Sequence, residues 1–209
     1  MITDKKSLQM YLDADRFALG MNQRKRPRPF RDAVWRFEIC LRKYEYYKNA
    51  GRRVGVLLRY YYAYRLSKWS KSLGFSISAN CFGPGLRINH QGLLIVNAQA
   101  KIGKWCDIHQ GVNIGDNGFV QDGQYKSCVP TIGDYVFIGP GAKIFGDIQV
   151  GDHVRIGANA VINKSVPENQ VAYGNPFSMH ESRRENLSIA SPSFEETFFQ
   201  QYPQYRGKM

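Results

Sequence analysis

From Val96 onward an aliphatic β-branched residue returns at every sixth position: Val96, Ile102, Ile108 and Ile114, then Ile132, Ile138, Ile144, Val150, Ile156 and Ile162. Gly103, Gly115, Gly133, Gly139, Gly151 and Gly157 each stand directly after one of them, and a small or branched residue such as Ala100, Val112, Val136 or Ala160 stands four places after. A helix would repeat near 3.6 residues and a half-buried strand at about 2, so a sustained period of six belongs to neither.

It belongs to a coil in which each hexad gives one short strand, one inward aliphatic side chain and a turn. Three hexads, about 18 residues, close a triangle, and successive triangles stack their strands in parallel. The fold class is therefore mainly β, a parallel β-helix of hexapeptide repeats preceded by an α-helical N-terminal segment. The glycine after each aliphatic residue is expected to serve a corner that needs unusual backbone angles. A β-sandwich would instead alternate with period two and turn about every 8–12 residues.

Three regions follow: a basic helical segment over 1–74, the coil over 75–178 and a polar tail over 179–209. Helices are predicted at 7–19 and 30–73, separated by Pro27-Arg28-Pro29. In the tail, Ser193 to Glu196 has the spacing of a capping box. Two faults interrupt the coil. Ile88 plus six is Leu94, yet the main series restarts at Val96, so two residues are inserted beside His90. Between Ile114 and Ile132, Lys126 occupies the inward column, and 117–130 reads as a loop thrown out of the prism.

The formal net charge of +12 lies wholly in residues 1–74, which hold 18 Lys and Arg against 6 Asp and Glu; the remainder balances at 11 against 11. The runs Arg24-Lys25-Arg26-Pro27-Arg28 and Arg52-Arg53 are interleaved with tyrosines, among them Tyr44, Tyr46, Tyr60, Tyr61, Tyr62 and Tyr64. The first reading is a cap whose aromatics pack on the coil while its arginines stay solvated. Peripheral contact of 1–74 with an anionic glycan or membrane surface is the alternative. No nucleic-acid-binding module accompanies the charge, so no nucleic acid is expected as a partner. The apolar stretches are too short to span a bilayer, and the N-terminus lacks a secretory apolar core. Cys40, Cys81, Cys106 and Cys128 form no CxxC pair, so neither a zinc site nor a disulfide framework is expected, and the location expected is cytoplasmic.

His90 is the sharpest candidate for chemistry. It stands two residues after the inward Ile88, at the corner of the deformed coil, which turns its ring outward. A neutral imidazole there can act as a general base towards a hydroxyl. Three hexads plus the two-residue insertion bring Gln110 beside His90 and His109 beside Asn89.

The runs Gly83-Pro84-Gly85-Leu86-Arg87-Ile88-Asn89-His90, Ile95-Val96-Asn97, Ile108-His109-Gln110-Gly111-Val112-Asn113-Ile114-Gly115, Ile138-Gly139-Pro140-Gly141-Ala142-Lys143-Ile144, Val166-Pro167 and Gly174-Asn175-Pro176 carry a specific resemblance. Over roughly 73–178 the chain resembles the serine acetyltransferase group of left-handed β-helix acyltransferases, especially members from surface-polysaccharide gene clusters. The resemblance implies left-handed coiling, a homotrimer and acetyl-CoA as co-substrate in the groove between adjacent prisms, with no metal. His90 matches the catalytic histidine, with Asn89 and Gln110 as candidates to orient it. Coenzyme contacts implied by position are Asp116, Pro140, Gly141, Arg155 and Ala158, with Lys164 for the phosphates. The plainer reading of these is that corners need small residues and that a surface cation is solvated.

Two positions depart from the family pattern. An aspartate commonly precedes the catalytic histidine, where this chain has Asn89, and a second histidine precedes the proline that restarts the coil, where it has Val129 before Pro130. Both turn the expected acceptor towards a hydroxyl of a surface-polysaccharide sugar or its precursor; serine O-acetylation for cysteine synthesis is the alternative. A γ-type carbonic anhydrase, which needs three histidines around zinc, ranks lower because only His90, His109, His153 and His180 exist and His153 sits far along the axis with no paired spacing. A non-catalytic trimeric scaffold ranks lower too.

Overall fold

The computed structural model describes residues 1–29, 31–51, 55–182 and 189–209. Its strands form three parallel ladders, the faces of a prism. One stacks β1 (Phe75–Ile77), β3 (Leu94–Val96), β6 (Asn113–Gly115), β11 (Lys143–Phe145) and β14 (Val161–Ile162). The second stacks β2 (Arg87–Ile88), β5 (Asp107–Ile108), β10 (Phe137–Ile138), β13 (Arg155–Ile156) and β15 (Gln170–Gly174), with β16 (Phe177–Glu181) antiparallel at its end. The third holds β4 (Lys101–Ile102), β9 (Thr131–Ile132) and β12 (Gln149–Val150).

The six-residue series is the axis of this prism. Each of its members from Val96 to Ile162 is at most 5% exposed, and the positions four places on, such as Ala100, Val112, Val136 and Ala160, are buried beside them. Each buried Ile or Val contributes about 2 kcal/mol. The corners are built otherwise than expected. Left-handed backbone falls three places after the inward residue, at Trp105, Tyr135, His153 and Asn159 with φ between 55° and 58°, and at Gly111 and Gly141. Four of the glycines directly after the inward residue, Gly103, Gly133, Gly139 and Gly151, are required by close approach of stacked coils instead. A Cβ on Gly139 would stand 2.8 Å from the amide nitrogen of Ala158.

The helices are α1 (Lys5–Ala18), α2 (Ala33–Asn49) and α3 (Val56–Leu73). A single helix over 30–73 does not form: Gly51 and Gly55 take φ values of 78° and 62° between α2 and α3. Phe30, Arg52, Arg53 and Val54 lie outside the described residues. Phe37, Cys40 and Leu41 of α2 continue the prism's core, whereas α3 buries only Leu66 and Leu73. The α3 tyrosines do not pack on the coil; Tyr60, Tyr61 and Tyr64 are exposed, beside a Leu57 that is 85% exposed.

Cap and coil are joined by charge. Arg42, fully buried, directs its five donors to Asp15 (2.7 and 3.3 Å), Glu45 (3.0 Å) and the carbonyls of Phe82 (3.0 Å) and Gly83 (2.7 Å). Asp15 Oδ1 also accepts the amides of Gly85 and Leu86, at 2.9 Å each. The network thereby fixes the strand approach to His90.

Two stretches are more ordered than the sequence suggests. Residues 117–130 contain a hairpin, β7 (Phe119–Gln121) and β8 (Gln124–Lys126), turned by Asp122 and Gly123 with positive φ. In the tail, β16 runs to Glu181, and α4 (Pro192–Gln201) is capped by Ser191 rather than Ser193; residues 183–188 lie outside the described residues. Phe198 of α4 and Phe17 of α1 meet over the buried Trp105, with ring centroids 5.3 and 6.3 Å from it. Among the described residues, no helix is long and apolar enough to cross a membrane.

Candidate active site

The second ladder arranges the candidate residues. Its register aligns Ile88, Ile108, Ile138 and Ile156, so the positions two places on, His90, Gln110, Pro140 and Ala158, follow one another along one edge of the prism. Neighbouring rungs are about 4.8 Å apart, which sets His90 and Pro140 roughly 10 Å from each other. Gly141 belongs to this edge, its amide donating to the Gln110 carbonyl at 2.9 Å. Gln110 Oε1 is buried without a partner among the described residues.

His90 is exposed at this edge, with the His109 ring centroid 6.3 Å away. Behind it lies a network that the sequence reading missed. The Asn89 amide donates to Asp107 Oδ1 at 2.7 Å and faces His109 Nε2 at 2.9 Å, while Arg87 Nη1 stands 3.5 Å from the second oxygen of Asp107. Asp107 reaches this place because β5 pairs with β2, Arg87 opposite Asp107. The same register arithmetic that brings His109 to Asn89 locates Asp107 when applied to Arg87.

Burial sets the electrostatics. Desolvation pushes the Asp107 carboxyl up to about 6, against the pull of Arg87 and the hydrogen bond from Asn89. Desolvation also lowers His109, helped by His90 and Arg87. Glu38 of α2 is buried deeply enough that desolvation raises it well above the usual carboxylate range, and its Oε1 accepts the Ile88 amide at 3.3 Å. The cap therefore touches the backbone two residues from His90. It also closes a cavity of about 520 Å³ beside His90, lined by Arg31, Asp32, Trp35, Arg87 and Asn89 among others.

The other candidates are Arg155, on a strand of the same ladder, and Asp116 and Lys164, off it. Arg155 stands on β13 with its guanidinium 5.7 Å from the Phe137 ring. Asp116 follows β6 and Lys164 follows β14, so both belong to a different prism edge from His90. The Asp116 carboxylate is committed to the hairpin base, accepting from Ser127 (2.6 Å), the Cys128 amide (2.7 Å) and Tyr125 (3.0 Å). The histidines do not converge: His153 stacks on Tyr135 at 4.7 Å, and His180 packs on Tyr173. Among the described residues, no group of three His, Cys, Asp or Glu could hold a metal ion.

Comparison with known proteins agrees with the repeat. The bacterial transferase hexapeptide (six repeats) family matches residues 130–164. A serine acetyltransferase of Mycobacterium tuberculosis is 39% identical over 94 residues, 45% of this chain and 39% of that relative, so the chain spans well under half the curated relative's length. The crystal structure of serine acetyltransferase from Brucella abortus superposes with TM-score 0.58 at 26% identity, over 84% of this chain and 68% of that one. That of Entamoeba histolytica serine acetyltransferase 1, in complex with L-cysteine, gives TM-score 0.53 at 32% identity, over 81% and 63%. Residues 130–164 thus match the hexapeptide-repeat transferases, and the helices and coil together resemble the serine acetyltransferases.

Proposed function

We propose that the protein is an acetyl-CoA-dependent O-acetyltransferase of the serine acetyltransferase kind, with a helical domain (1–74), a left-handed catalytic coil (75–178) and a C-terminal segment (179–209). The observation that carries this reading is the single open edge on which His90, Gln110, Pro140 and Ala158 follow one another. In the proposed reaction His90 takes the acceptor's hydroxyl proton as the oxygen attacks the thioester carbonyl. The C–S bond breaks, and the imidazolium returns the proton to the departing thiolate. Direct transfer of this kind depends on positioning as much as on the base. Asn89 would steady the site, with Asp107 supplying from the next coil the negative charge that Asn89 lacks.

The edge suits an extended pantetheine arm. Glycine at 139 keeps its floor low, since a Cβ there would meet Ala158, and the unmatched Gln110 Oε1 offers an acceptor to an amide N–H. Pro140, Gly141 and Ala158 would line the arm, and Arg155 lies on the same ladder. Asp116 and Lys164 lie on another edge; a groove between copies of a homotrimer would bring such an edge of one prism to the His90 edge of the next.

Arg31 and Arg87 in the cavity beside His90 support a hydroxyl acceptor that carries a carboxylate, and so L-serine ahead of a neutral sugar. The Entamoeba relative's complex with L-cysteine, which differs from L-serine by sulfur for oxygen, supports the same class. A surface-glycan hydroxyl is the second reading, favoured by Val129 before Pro130, where the resemblance has histidine. Thiol release from acetyl-CoA, measured with L-serine and with neutral and acidic saccharides, tests both. Turnover with L-serine that vanishes in His90→Ala is the expected result. Turnover with saccharides alone selects the second reading, and thiol release with neither class overturns both.

A further inference from the structure

A second cavity, of about 530 Å³, lies wholly within the helical cap between α1, the 25–27 segment, α2 and α3. Six cationic side chains line it: Arg16, Lys25, Arg26, Arg36, Lys43 and Arg65. They face one carboxylate, Asp13, which is already held by Arg16 (2.9 Å), Gln9 (3.1 Å) and Tyr205 (2.7 Å). The contacts of the other cations are with neutral groups. Lys43 donates to the Tyr62 hydroxyl at 3.2 Å, Arg65 to that of Tyr61 at 2.8 Å, and Arg36 to the carbonyls of Pro27 and Arg28 at 3.3 Å each. Among the described residues, only Arg16 of the six forms an ion pair. Arg16 Nε, moreover, is buried without a partner among the described residues.

Like charges gathered in a concavity repel one another and focus a positive potential there. The guanidinium forks match phosphate oxygens in pairs, and several cations together favour an anion of more than one charge. The volume suits a small molecule or a headgroup rather than a duplex, and Trp35, Tyr61 and Tyr62 supply aromatic faces in the same wall. We propose that this cap cavity binds a phosphate-bearing ligand, either a free phosphorylated small molecule or the phosphate headgroup of a lipid, at a site separate from the His90 edge.

Calorimetric titration of the full chain with sodium pyrophosphate tests this. Saturable binding is expected, weakened about tenfold or more in Lys43→Gln/Arg65→Gln, since each lost charge-assisted contact removes a sizeable part of the affinity. Acetyl transfer by the variant is expected to match the parent. If that pair of changes unfolds the cap, Lys25→Gln/Arg26→Gln, at exposed positions, carries the same test. Co-sedimentation with phosphatidylglycerol-containing vesicles separates the sources. Sedimentation that pyrophosphate competes away identifies a headgroup; pyrophosphate binding without sedimentation identifies a soluble ligand. Absence of saturable binding in both arms, or binding unchanged in the variants, overturns the proposal.

Discussion

The coil and the cap solve the problem of a stable interior in opposite ways. The coil repeats one apolar solution, an aliphatic side chain under each strand, and buries few charges. The cap buries Asp15, Glu38, Arg42 and Glu45 at its seam with the coil and leaves most of α3 in solvent. Periodic burial lets the coil throw out the segment 117–130 and resume its column at Ile132. A buried ion network is different: every member depends on the others, because an ionised group left alone in a low dielectric has no compensation. The seam is therefore where the cap grips the backbone that leads to the candidate base, through Arg42 on the carbonyls of Phe82 and Gly83 and through Glu38 on the amide of Ile88.

The contrast can be broken or sharpened by measurement. His90→Ala is expected to lower acetyl transfer by about 10²–10⁴-fold while the unfolding midpoint stays near that of the parent, so that chemistry and fold separate at this edge. Thiol release paired with thermal melts checks it, and a large fall in the midpoint would return His90 to the scaffold. Arg42→Met leaves Asp15 and Glu45 without their buried partner, and a loss of about 3–5 kcal/mol in denaturant unfolding is expected. Should the seam act on the site, the same variant loses activity under conditions where it is still folded. A loss under 1 kcal/mol, about the size of a surface pair, would show that the seam is dispensable.

Asp107 joins the two behaviours, a buried carboxyl within the coil. Its pKa is raised to about 6 in the folded chain, so the unfolded chain releases this proton first as pH rises. Stability linked to Asp107 is therefore fully present below about pH 4 and is lost as pH passes about 6, a fall of roughly 3 kcal/mol. Unfolding of Asp107→Asn across that window is expected to lack this component; equal slopes in variant and parent would remove Asp107 from the account. The smallest effect is expected on the outer face of α3, where Leu57→Gln should change stability by no more than about 0.5 kcal/mol. A larger loss would mean that this face is covered in solution.

These regions also differ in how far the sequence discloses them. The inward column is read directly, because a prism repeats its burial at a fixed interval, and the insertion before Val96 points to His90 because any fault shows against that interval. At Gly103, Gly133, Gly139 and Gly151, contact between coils and not backbone angle demands glycine, and a linear pattern records the residue without its cause. The Asp122-Gly123 pair, the usual signal of a two-residue hairpin turn, could have revealed β7 and β8. Arg42 and Asp15 carry no such signal. Their pairing joins residues 27 apart through tertiary contact alone, and nothing periodic announces it.

The aromatic meeting over Trp105 sets an order of events in folding. Coil contacts are made between residues about twenty to thirty apart and can form as successive rungs are synthesised. The contacts of α1 with α4 and its surroundings span far more of the chain, as in the bond from Tyr205 to Asp13 across 192 positions. The helix α1 thus waits for a segment made much later before its apolar face is fully covered. In the interval, Phe17 and its neighbours form an exposed hydrophobic surface beside a coil already built, a state open to aggregation or chaperone capture.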